Sequence, residues 1–555
     1  MSPPRSPRFR EVATPPPLTF GRRNRSRLAS AVICAVALVA STSCLRKLAE
    51  LEHQRHQQAD RSSGVANGTA APAPPGDVRP VDLPTNRGPV RSRIRSEGSR
   101  RYLEVDGEPF LILAVQADAW AVASATEGAA RQFRYAREVG ANTIEIPIPW
   151  IHVEPTADHY SSDYVRWVIE QARANDLKLV LLWFGSNVVG KTGSPTELKI
   201  VPDYVVSNPS AYPRVSGPLA RAENPLEPSH PATLDRERRA FTRALEMVTA
   251  EDREGRVIAW QILNEVGVLP ETRVPYPESV LTDKLISHVR ALAQVQKRIH
   301  PVPSFMNFWE GLQGAKPFEF LSRIPEIDFV GPDLYGKPSL GFHFANRDYV
   351  AFRDNYLKQL DRYHQGRNLS FIPETNNDAY FKPYLLIFPL LGKVPGIGMD
   401  VWAITTGSMK GYEPLANAKT GQITESGALL REVYRAIGGA MSPIVSAQGS
   451  DRMAWFVSEG PARGRRLTVA GTELALDTEG DGGLLAVRQS DGSLVLVGRN
   501  VGVTMPRAAG RNAERGRFEA SRWRAAGPAK VSATGGDALR VELGTADVVR
   551  VGPDR

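Results

Sequence analysis

Two glutamates follow apolar, strand-like runs at widely separated places in the chain. Residues 257–263 are apolar except for Gln261 and lead to Asn264 and Glu265, and the mostly apolar residues 369–373 lead to Glu374. Such runs are typical of buried parallel strands, and (β/α)8 barrels carry reactive groups at the carboxyl ends of their strands. Two strand-terminal carboxylates could flank one glycosidic bond. The pattern therefore predicts glycoside chemistry if a barrel brings the two strands together.

The chain from residue 102 onward has the strand–helix alternation that such a barrel requires. Candidate strands lie at residues 110–115, 143–147, 179–184, 257–265, 303–308, 327–335, 369–374 and 398–403. Amphipathic segments predict helices at residues 129–139, 163–174, 235–249, 279–299, 349–364, 384–391 and 426–437. We therefore predict an α/β fold, a (β/α)8 TIM barrel over residues 96–440, with Glu265 ending the fourth strand and Glu374 the seventh.

Beyond Met441 the pattern changes to short alternating runs separated by Gly and Asp turns. Examples lie at residues 466–469, 484–487, 494–497 and 539–543. Alternation with a period of two is typical of antiparallel strands that have one buried face. Residues 441–555 are therefore predicted to form a smaller antiparallel β domain, a sandwich.

The N-terminus has the order of an export signal. The first 27 residues contain seven arginines and one glutamate, so much of the net charge of +9 is a targeting feature and does not indicate nucleic-acid binding. An apolar run at residues 28–40 is shorter than the roughly 20 residues of a spanning helix. We expect residues 1–44 to be a signal, with a lipidated Cys44, a cleaved signal and a retained anchor all open, and residues 45–95 to be a flexible linker. The expected protein is exported, periplasmic or anchored to a bacterial membrane as a lipoprotein.

The sequence has no pattern of metal or cofactor ligands. Its only cysteines are Cys34 and Cys44, so the predicted folded region has neither a thiol nor a disulfide. The nine histidines are dispersed without metal-ligand spacing. We expect no metal, no cofactor and no nucleic-acid partner, and an oligosaccharide or other glycoside as the substrate.

Several stretches resemble one family of enzymes. They are residues 141–150 with Glu154-Pro155, residues 179–186, residues 261–267, residues 327–335 and residues 371–374. In order and spacing they resemble the bacterial β-galactosidase-like proteins of glycoside hydrolase family 35, and more distantly those of family 42. The resemblance spans the whole predicted barrel, and the C-terminal β region also looks like the domain that follows the barrel in such proteins.

The resemblance implies a role for each matching residue. Glu265 matches the general acid/base and Glu374 the nucleophile, with carboxyl groups about 5 Å apart and retention of configuration. Asn264 matches a residue that binds the sugar 2-hydroxyl, and Tyr335 one that donates a hydrogen bond to the nucleophile. Trp183 and Trp402 are expected to offer an apolar face to the sugar ring.

Three segments depart from this family. They are residues 116–120 after the first strand, residues 187–189 after the third and residues 375–378 after the seventh. Since loops at strand ends select the sugar, the departures leave three hypotheses. A retaining β-galactosidase is favoured, a related β-glycosidase or glycanase with another sugar specificity is the alternative, and a non-catalytic sugar-binding protein on a decayed barrel is the third.

Overall fold

The structure of the chain is a computed structural model. It describes residues 89–553 except 99, 119–126, 189, 192–197, 216–224, 229, 267, 270–273, 276–282, 310–315, 335–356, 359, 363, 365, 376–381, 406–412, 507–511 and 535–537. Leu83–Arg555 forms one compact unit. The predicted signal, most of the predicted linker, Tyr335 and most of the helix predicted at residues 349–364 lie outside the described residues.

Up to residue 447 the described elements are strands interspersed with helices. In chain order they are β1 (Ser92–Glu97), β2 (Arg100–Val105), β3 (Glu108–Phe110), β4 (Ile112–Gln116), α1 (Glu127–Glu138), β5 (Thr143–Pro149), α2 (Trp150–Val153), α3 (Asp163–Ala174), β6 (Lys178–Phe184), β7 (Gly190–Lys191), β8 (Leu198–Lys199), α4 (Asp203–Val206), α5 (Pro231–Glu251), β9 (Val257–Ile262), β10 (Val268–Leu269), β11 (Val274–Pro275), α6 (Asp283–Ile299), β12 (Ser304–Trp309), α7 (Lys316–Arg323), β13 (Phe329–Leu334), β14 (Ser370–Ile372), β15 (Glu374–Thr375), α8 (Pro383–Lys393), β16 (Gly396–Trp402), α9 (Glu425–Gly439) and α10 (Met441–Ala447).

The main sheet closes into the predicted barrel. Its strand order is β14-β16-β4-β5-β6-β9-β12-β13-β15, and the neighbouring strands are parallel. β14 and β15 are two halves of one strand on either side of Pro373, which has no N–H to donate. β14 pairs with β16 and β15 pairs with β13, so the eighth strand and the sixth are joined through the seventh. The predicted TIM barrel is confirmed.

An apolar layer fills the barrel interior at the amino ends of the strands. Phe305 and Phe329 stack with ring centroids 5.0 Å apart, and Phe371 meets both rings edge-on. Leu103 and Val105 of β2 pack against the same cluster, so the small antiparallel sheet β1-β2-β3 covers this end of the barrel. β1 begins at Ser92, inside the segment predicted as linker. The amino end of the barrel is therefore covered, which leaves the carboxyl ends of the strands as the place for an active site.

The outer helices follow from the spacing of their apolar residues. In α3 the buried side chains recur every three or four positions, at Tyr164, Val165, Val168, Ile169 and Ala172, which gives one apolar face against the strands. In α8, by contrast, every residue from Pro383 to Leu391 is buried. A helix that is apolar all round must be covered on both sides, and α8 contacts both the barrel and the C-terminal domain.

The C-terminal domain consists of antiparallel strands, as predicted. Its strands are β17 (Met453–Ser458), β18 (Ala462–Val469), β19 (Thr472–Thr478), β20 (Gly482–Arg488), β21 (Leu494–Arg499), β22 (Val501–Pro506), β23 (Ala513–Glu519), β24 (Arg522–Pro528), β25 (Val531–Thr534), β26 (Ala538–Leu543) and β27 (Asp547–Val551). They form two sheets, ordered β17-β20-β21-β27-β23-β24 and β18-β19-β22-β26-β25. Leu476, Leu484, Val503, Val541 and Val549 belong to one buried cluster that both sheets share.

Candidate active site

The fourth barrel strand delivers Asn264 and Glu265 to the open end of the barrel. β9 is buried along its whole length, whereas Asn264 and Glu265 are half-buried. The backbone turns sharply here, because Leu263 and Glu265 adopt left-handed conformations with φ of 64° and 42°. Such conformations cost free energy for residues with side chains and persist where the surroundings enforce them.

Asn307 of the fifth strand enforces this conformation. Its Oδ1 accepts a hydrogen bond from the backbone N–H of Glu265 at 2.7 Å, and its Nδ2 donates to Oδ1 of Asn264 at 3.1 Å. Nδ2 also donates to Oδ2 of Asp333 at 3.0 Å. Gln261 supplies a second donor to Asn264, at 3.2 Å. One buried amide thus holds the side-chain amide of Asn264 and the backbone that carries the Glu265 side chain.

The seventh strand places Glu374 beside Asp333. Glu374 is the in-register partner of Asp333 in the parallel pairing of β13 and β15, and both side chains are buried. Burial raises the pKa of Asp333 well above its usual range, and the charges of Glu374 and then Glu265 raise it further. Asn307 contacts both Asp333 and the backbone of Glu265, and Asp333 is the strand partner of Glu374, so the two predicted catalytic glutamates lie around one buried carboxyl group.

A second buried carboxyl pair lies next to Glu374. Glu145 of the second strand and Asp400 of the eighth are fully buried and interact directly. Burial raises the pKa of Glu145 well above its usual range, with further contributions from Asp400 and Glu374, and burial raises the pKa of Asp400 to about 8. The pair therefore retains a proton at neutral pH, which limits the negative charge beside Glu374.

These groups form a polar layer inside the barrel, above the apolar one. Gln116 donates to Oε1 of Glu145 at 2.9 Å, which links the first strand to the second. Buried acids with raised pKa values, gathered beside two further carboxylates at the open end of a barrel, are typical of an active site. The layer consists of Gln116, Glu145, Gln261, Asn307, Asp333 and Asp400.

Sequence reasoning did not assign roles to Glu145, Gln261 or Asn307. A signal was present, since each is a polar residue inside a run of buried strand residues. A buried polar group is more informative than an exposed one, because it needs a partner in the fold. What the sequence lacked was the identity of that partner on a neighbouring strand.

The predicted aromatic residues have different surroundings. Trp183 has no exposed surface, its ring lies 4.8 Å from that of Phe241, and its indole N–H donates to Glu237 at 2.9 Å. These contacts indicate a packing role in place of the predicted sugar-facing one. Trp402 is half-buried at the carboxyl end of β16, and the peptide bond that follows it is cis. Its contact with a sugar stays a prediction, as does the role of Tyr335.

Two further properties concern the part of the chain that the structure describes. Within it no three His, Cys, Asp or Glu side chains are grouped so that they could hold a metal ion. Within the same ranges no helix combines the length and the apolar character needed to cross a membrane.

Comparisons with known proteins give structural likeness alone. No protein-family model matches the chain, and no curated protein matches its sequence. A β-galactosidase from the psychrophilic Marinomonas ef1 is similar at 11% identity, over 58% of this chain and 59% of that chain, with a TM-score of 0.42. An exo-β-1,4-mannosidase from Opitutaceae bacterium strain TAV5 is similar at 12% identity, over 60% of each chain, with a TM-score of 0.45.

A third solved structure covers more of the chain. It is a glycoside hydrolase family 30 subfamily 8 xylanase from Clostridium acetobutylicum, with 11% identity over 79% of this chain and 94% of that chain and a TM-score of 0.44. This chain spans about three-fifths of the length of the other two enzymes. Likeness at this level identifies neither a family nor a substrate, so the function has to be inferred from the chemistry of the site.

Proposed function

We propose that the chain is a retaining glycoside hydrolase. The observation that carries this proposal is that Glu265 and Glu374 end the fourth and seventh strands of a closed barrel and are connected through Asp333 and Asn307. Hydrolysis with retention needs two carboxyl groups at one site, one as the nucleophile and one as the acid/base. The buried amides of Asn307 and Gln261 orient the site without adding charge.

The reaction proceeds in two displacements. Glu374 attacks the anomeric carbon and forms a glycosyl ester, while Glu265 transfers its proton to the departing oxygen. Glu265 then removes a proton from water, which attacks the ester and regenerates Glu374. In this proposal the Asn264 side chain, whose oxygen accepts from Gln261 and Asn307, binds the sugar 2-hydroxyl, a contact that strengthens in the transition state.

A Glu374→Gly variant tests the nucleophile. We expect turnover of the natural glycoside to fall by at least about 10³-fold, because the ester cannot form. Added azide, which fits the space left by the side chain, is expected to restore turnover of an activated aryl glycoside and to give a glycosyl azide of inverted configuration. Glu479→Gly changes an exposed turn of the β domain and is the matched control. Undiminished activity of Glu374→Gly would contradict the assignment.

For the sugar we propose a terminal β-galactoside, on the strength of the sequence resemblance in residues 141–150 and 327–335. A panel of aryl β-galactoside, β-glucoside, β-mannoside and β-xyloside tests it. Hydrolysis of another glycoside without the galactoside would overturn this choice and support the alternative specificity. If the wild type and Glu374→Ala bound sugar equally well and neither hydrolysed any member of the panel, the result would support the hypothesis of a non-catalytic sugar-binding protein.

We also propose that the protein is exported, with Cys44 as the candidate lipidation site. The support is the order of charge, apolar run and small residues in residues 1–44. Mass spectrometry of the mature N-terminus separates the alternatives. A diacylglyceryl mass on Cys44 supports the lipoprotein, whereas a shortened chain without lipid supports a cleaved signal.

A further inference from the structure

A buried ion pair lies behind the third and fourth strands, outside the site described above. Glu237 of α5 and His288 of α6 are both fully buried, and His288 Nε2 lies 2.7 Å from Glu237 Oε2. The other ring nitrogen, Nδ1, lies 2.8 Å from the carbonyl oxygen of Pro228. A carbonyl oxygen accepts only, and an ionised carboxylate accepts only, so both ring nitrogens must carry hydrogen.

The second carboxylate oxygen of Glu237 accepts two hydrogen bonds, both from the third strand and the turn that follows it. Glu237 Oε1 accepts from the indole N–H of Trp183 at 2.9 Å and from the backbone N–H of Ser186 at 3.0 Å. A side chain at Gly185 would collide with this carboxylate, because its Cβ would lie 2.0 Å from Oε1. Glu237 therefore holds the turn that follows β6, and the glycine provides the space for it.

This turn contacts the backbone next to Glu265, the proposed acid/base. Asn187, buried and adjacent to Ser186, donates its side-chain N–H to the backbone carbonyl of Asn264. Asn264 precedes Glu265, whose own N–H is held by Asn307. Hydrogen bonds thus link His288 to Glu237 and Glu237 to Ser186, the peptide bond joins Ser186 to Asn187, and Asn187 holds the backbone that leads to the proposed acid/base.

We infer that His288 is an imidazolium and that its ion pair with Glu237 is a positioning element for Glu265, acting through the turn at residues 185–188. The inference rests on the proposed function of Glu265. Burial alone would lower the pKa of His288, but the Glu237 carboxylate outweighs it and raises the pKa overall. Glu237 is the one charged side chain that acts on His288 among the described residues.

The same contacts exclude a nucleophilic role for Ser186. Its Oγ lies 3.4 Å from His288 Nε2, which suggests a serine–histidine–glutamate arrangement. However, the proton on Nε2 is directed at Glu237, so the ring has no lone pair with which to activate the hydroxyl. Ser186 is also 1% exposed, which no substrate carbonyl could reach.

The charge of His288 is measured by nuclear magnetic resonance of the full chain labelled with ¹³C and ¹⁵N in histidine. We expect ring shifts of an imidazolium at pH 7, and of a neutral ring in Glu237→Gln, whose amide still accepts from Trp183 and Ser186. His300 is the internal comparison, since it is also buried, accepts from Trp260 at 3.0 Å and has a pKa lowered to about 4 by burial and Lys297. A neutral His288 ring in the wild type at pH 7 would overturn the inference, whatever the catalytic activity.

Positioning of the acid/base is measured by the dependence on leaving group. Glu237→Gln and His288→Gln are expected to lower kcat/KM by about 10–100-fold on a phenyl β-glycoside, which needs protonation of the departing oxygen. On a dinitrophenyl β-glycoside, which does not, the loss is expected to stay below about 3-fold. Equal losses on both substrates, or no loss on either, would contradict a positioning role.

Lys297→Gln is the matched control. It breaks an ion pair on the same helix, α6, in which Nζ lies 2.6 Å from Asp328 at the amino end of the sixth strand. We expect its ratio of activities on the two substrates to equal that of the wild type. A wild-type chain that hydrolyses no glycoside would refute the proposed function and the positioning role together, while the resonance measurement would still decide the ion pair.

Discussion

Individual carboxyl groups of this protein differ more in environment than in chemistry. Glu265 is half-buried at the barrel mouth, whereas Glu145, Asp333 and Asp400 are fully buried below it. Burial penalises the charged form, so the buried groups keep their protons to higher pH than the acids in water. Glu374, the proposed nucleophile, thereby has as neighbours three acids whose pKa values are raised by burial.

The stability of an Asp400→Asn variant tests whether this buried acid keeps its proton in the folded protein. The folded pKa of Asp400, about 8, exceeds its ordinary value of 3.8, because burial disfavours the charged form. Since the folded-state pKa is the higher one, the stability that its proton provides is present below about pH 4 and is lost as the pH rises towards 8. The variant has no ionisable side chain at this position. Its free energy of unfolding relative to that of the wild type is therefore expected to rise by at least about 1 kcal/mol across this window, and its relative melting temperature is expected to rise with it.

Thermal unfolding at pH 5 and pH 9 measures this effect. Asp451→Asn, at an exposed aspartate of the β domain, serves as the control and is expected to show no such pH-dependent gain. A pH-independent difference between Asp400→Asn and the wild type would show that Asp400 is ionised throughout.

Barrel closure depends on how closely strands approach one another. β16 lies between β14 and β4, and Gly398 is the register partner of both Phe371 and Ile112. Gly398 has φ of 135°, and a Cβ there would lie 1.9 Å from the carbonyl oxygen of Ile112. A glycine is therefore required where the eighth strand joins the first, two residues before Asp400 enters the polar layer.

Gly398→Ala is expected to destabilise the fold by at least about 3 kcal/mol, through backbone strain and the collision with β4. Gly449→Ala is the matched comparison, because Gly449 also has a positive φ, of 71°, but no atom within 4 Å of the added Cβ. It is expected to cost about 1 kcal/mol. Urea unfolding of both variants gives the comparison, and equal destabilisation would show that strain alone, not strand contact, sets the cost.

At the scale of the whole molecule, the barrel and the β domain share a core. Residues of β20 and β21, such as Leu485 and Val497, belong to the same buried cluster as the barrel helices. Polar contacts cross the same boundary, since Lys382 lies 2.9 Å from Asp481 and the Tyr384 hydroxyl donates to that carboxylate. We expect the two parts to unfold as one cooperative unit.

Gly483→Leu probes this cooperativity. A Cβ at residue 483 of β20 would lie 3.0 Å from the ring of Phe388 and 3.1 Å from that of Tyr384, both in α8. The variant is expected to lose about 1–3 kcal/mol by overpacking, and calorimetry is expected to show a single transition at a lower temperature. Gly460→Leu, at a turn with no atom within 4 Å of the added Cβ, is the control. Two transitions with an unshifted barrel would contradict a shared core.

Part of this architecture can be predicted from patterns of residues that are close in sequence. An apolar run followed by Asn264 and Glu265 marks a buried strand and its end, and the helix predicted at residues 163–174 matches Asp163–Ala174. Period and burial within one element depend on residues that are close in sequence, so counting elements placed Glu265 fourth and Glu374 seventh. The predicted barrel and the antiparallel C-terminal domain follow from the same local patterns.

Contacts between elements were decided only by the tertiary structure. Glu237 and His288 are 51 positions apart, and Asn307 is 42 positions from Glu265, so no local period links either pair. The same holds for Trp183, whose indole satisfies Glu237 in place of facing a sugar. Buried polar groups must find partners wherever the packing places them. The sequence alone therefore determined which residues end the strands, while the closed barrel determined which buried groups orient them.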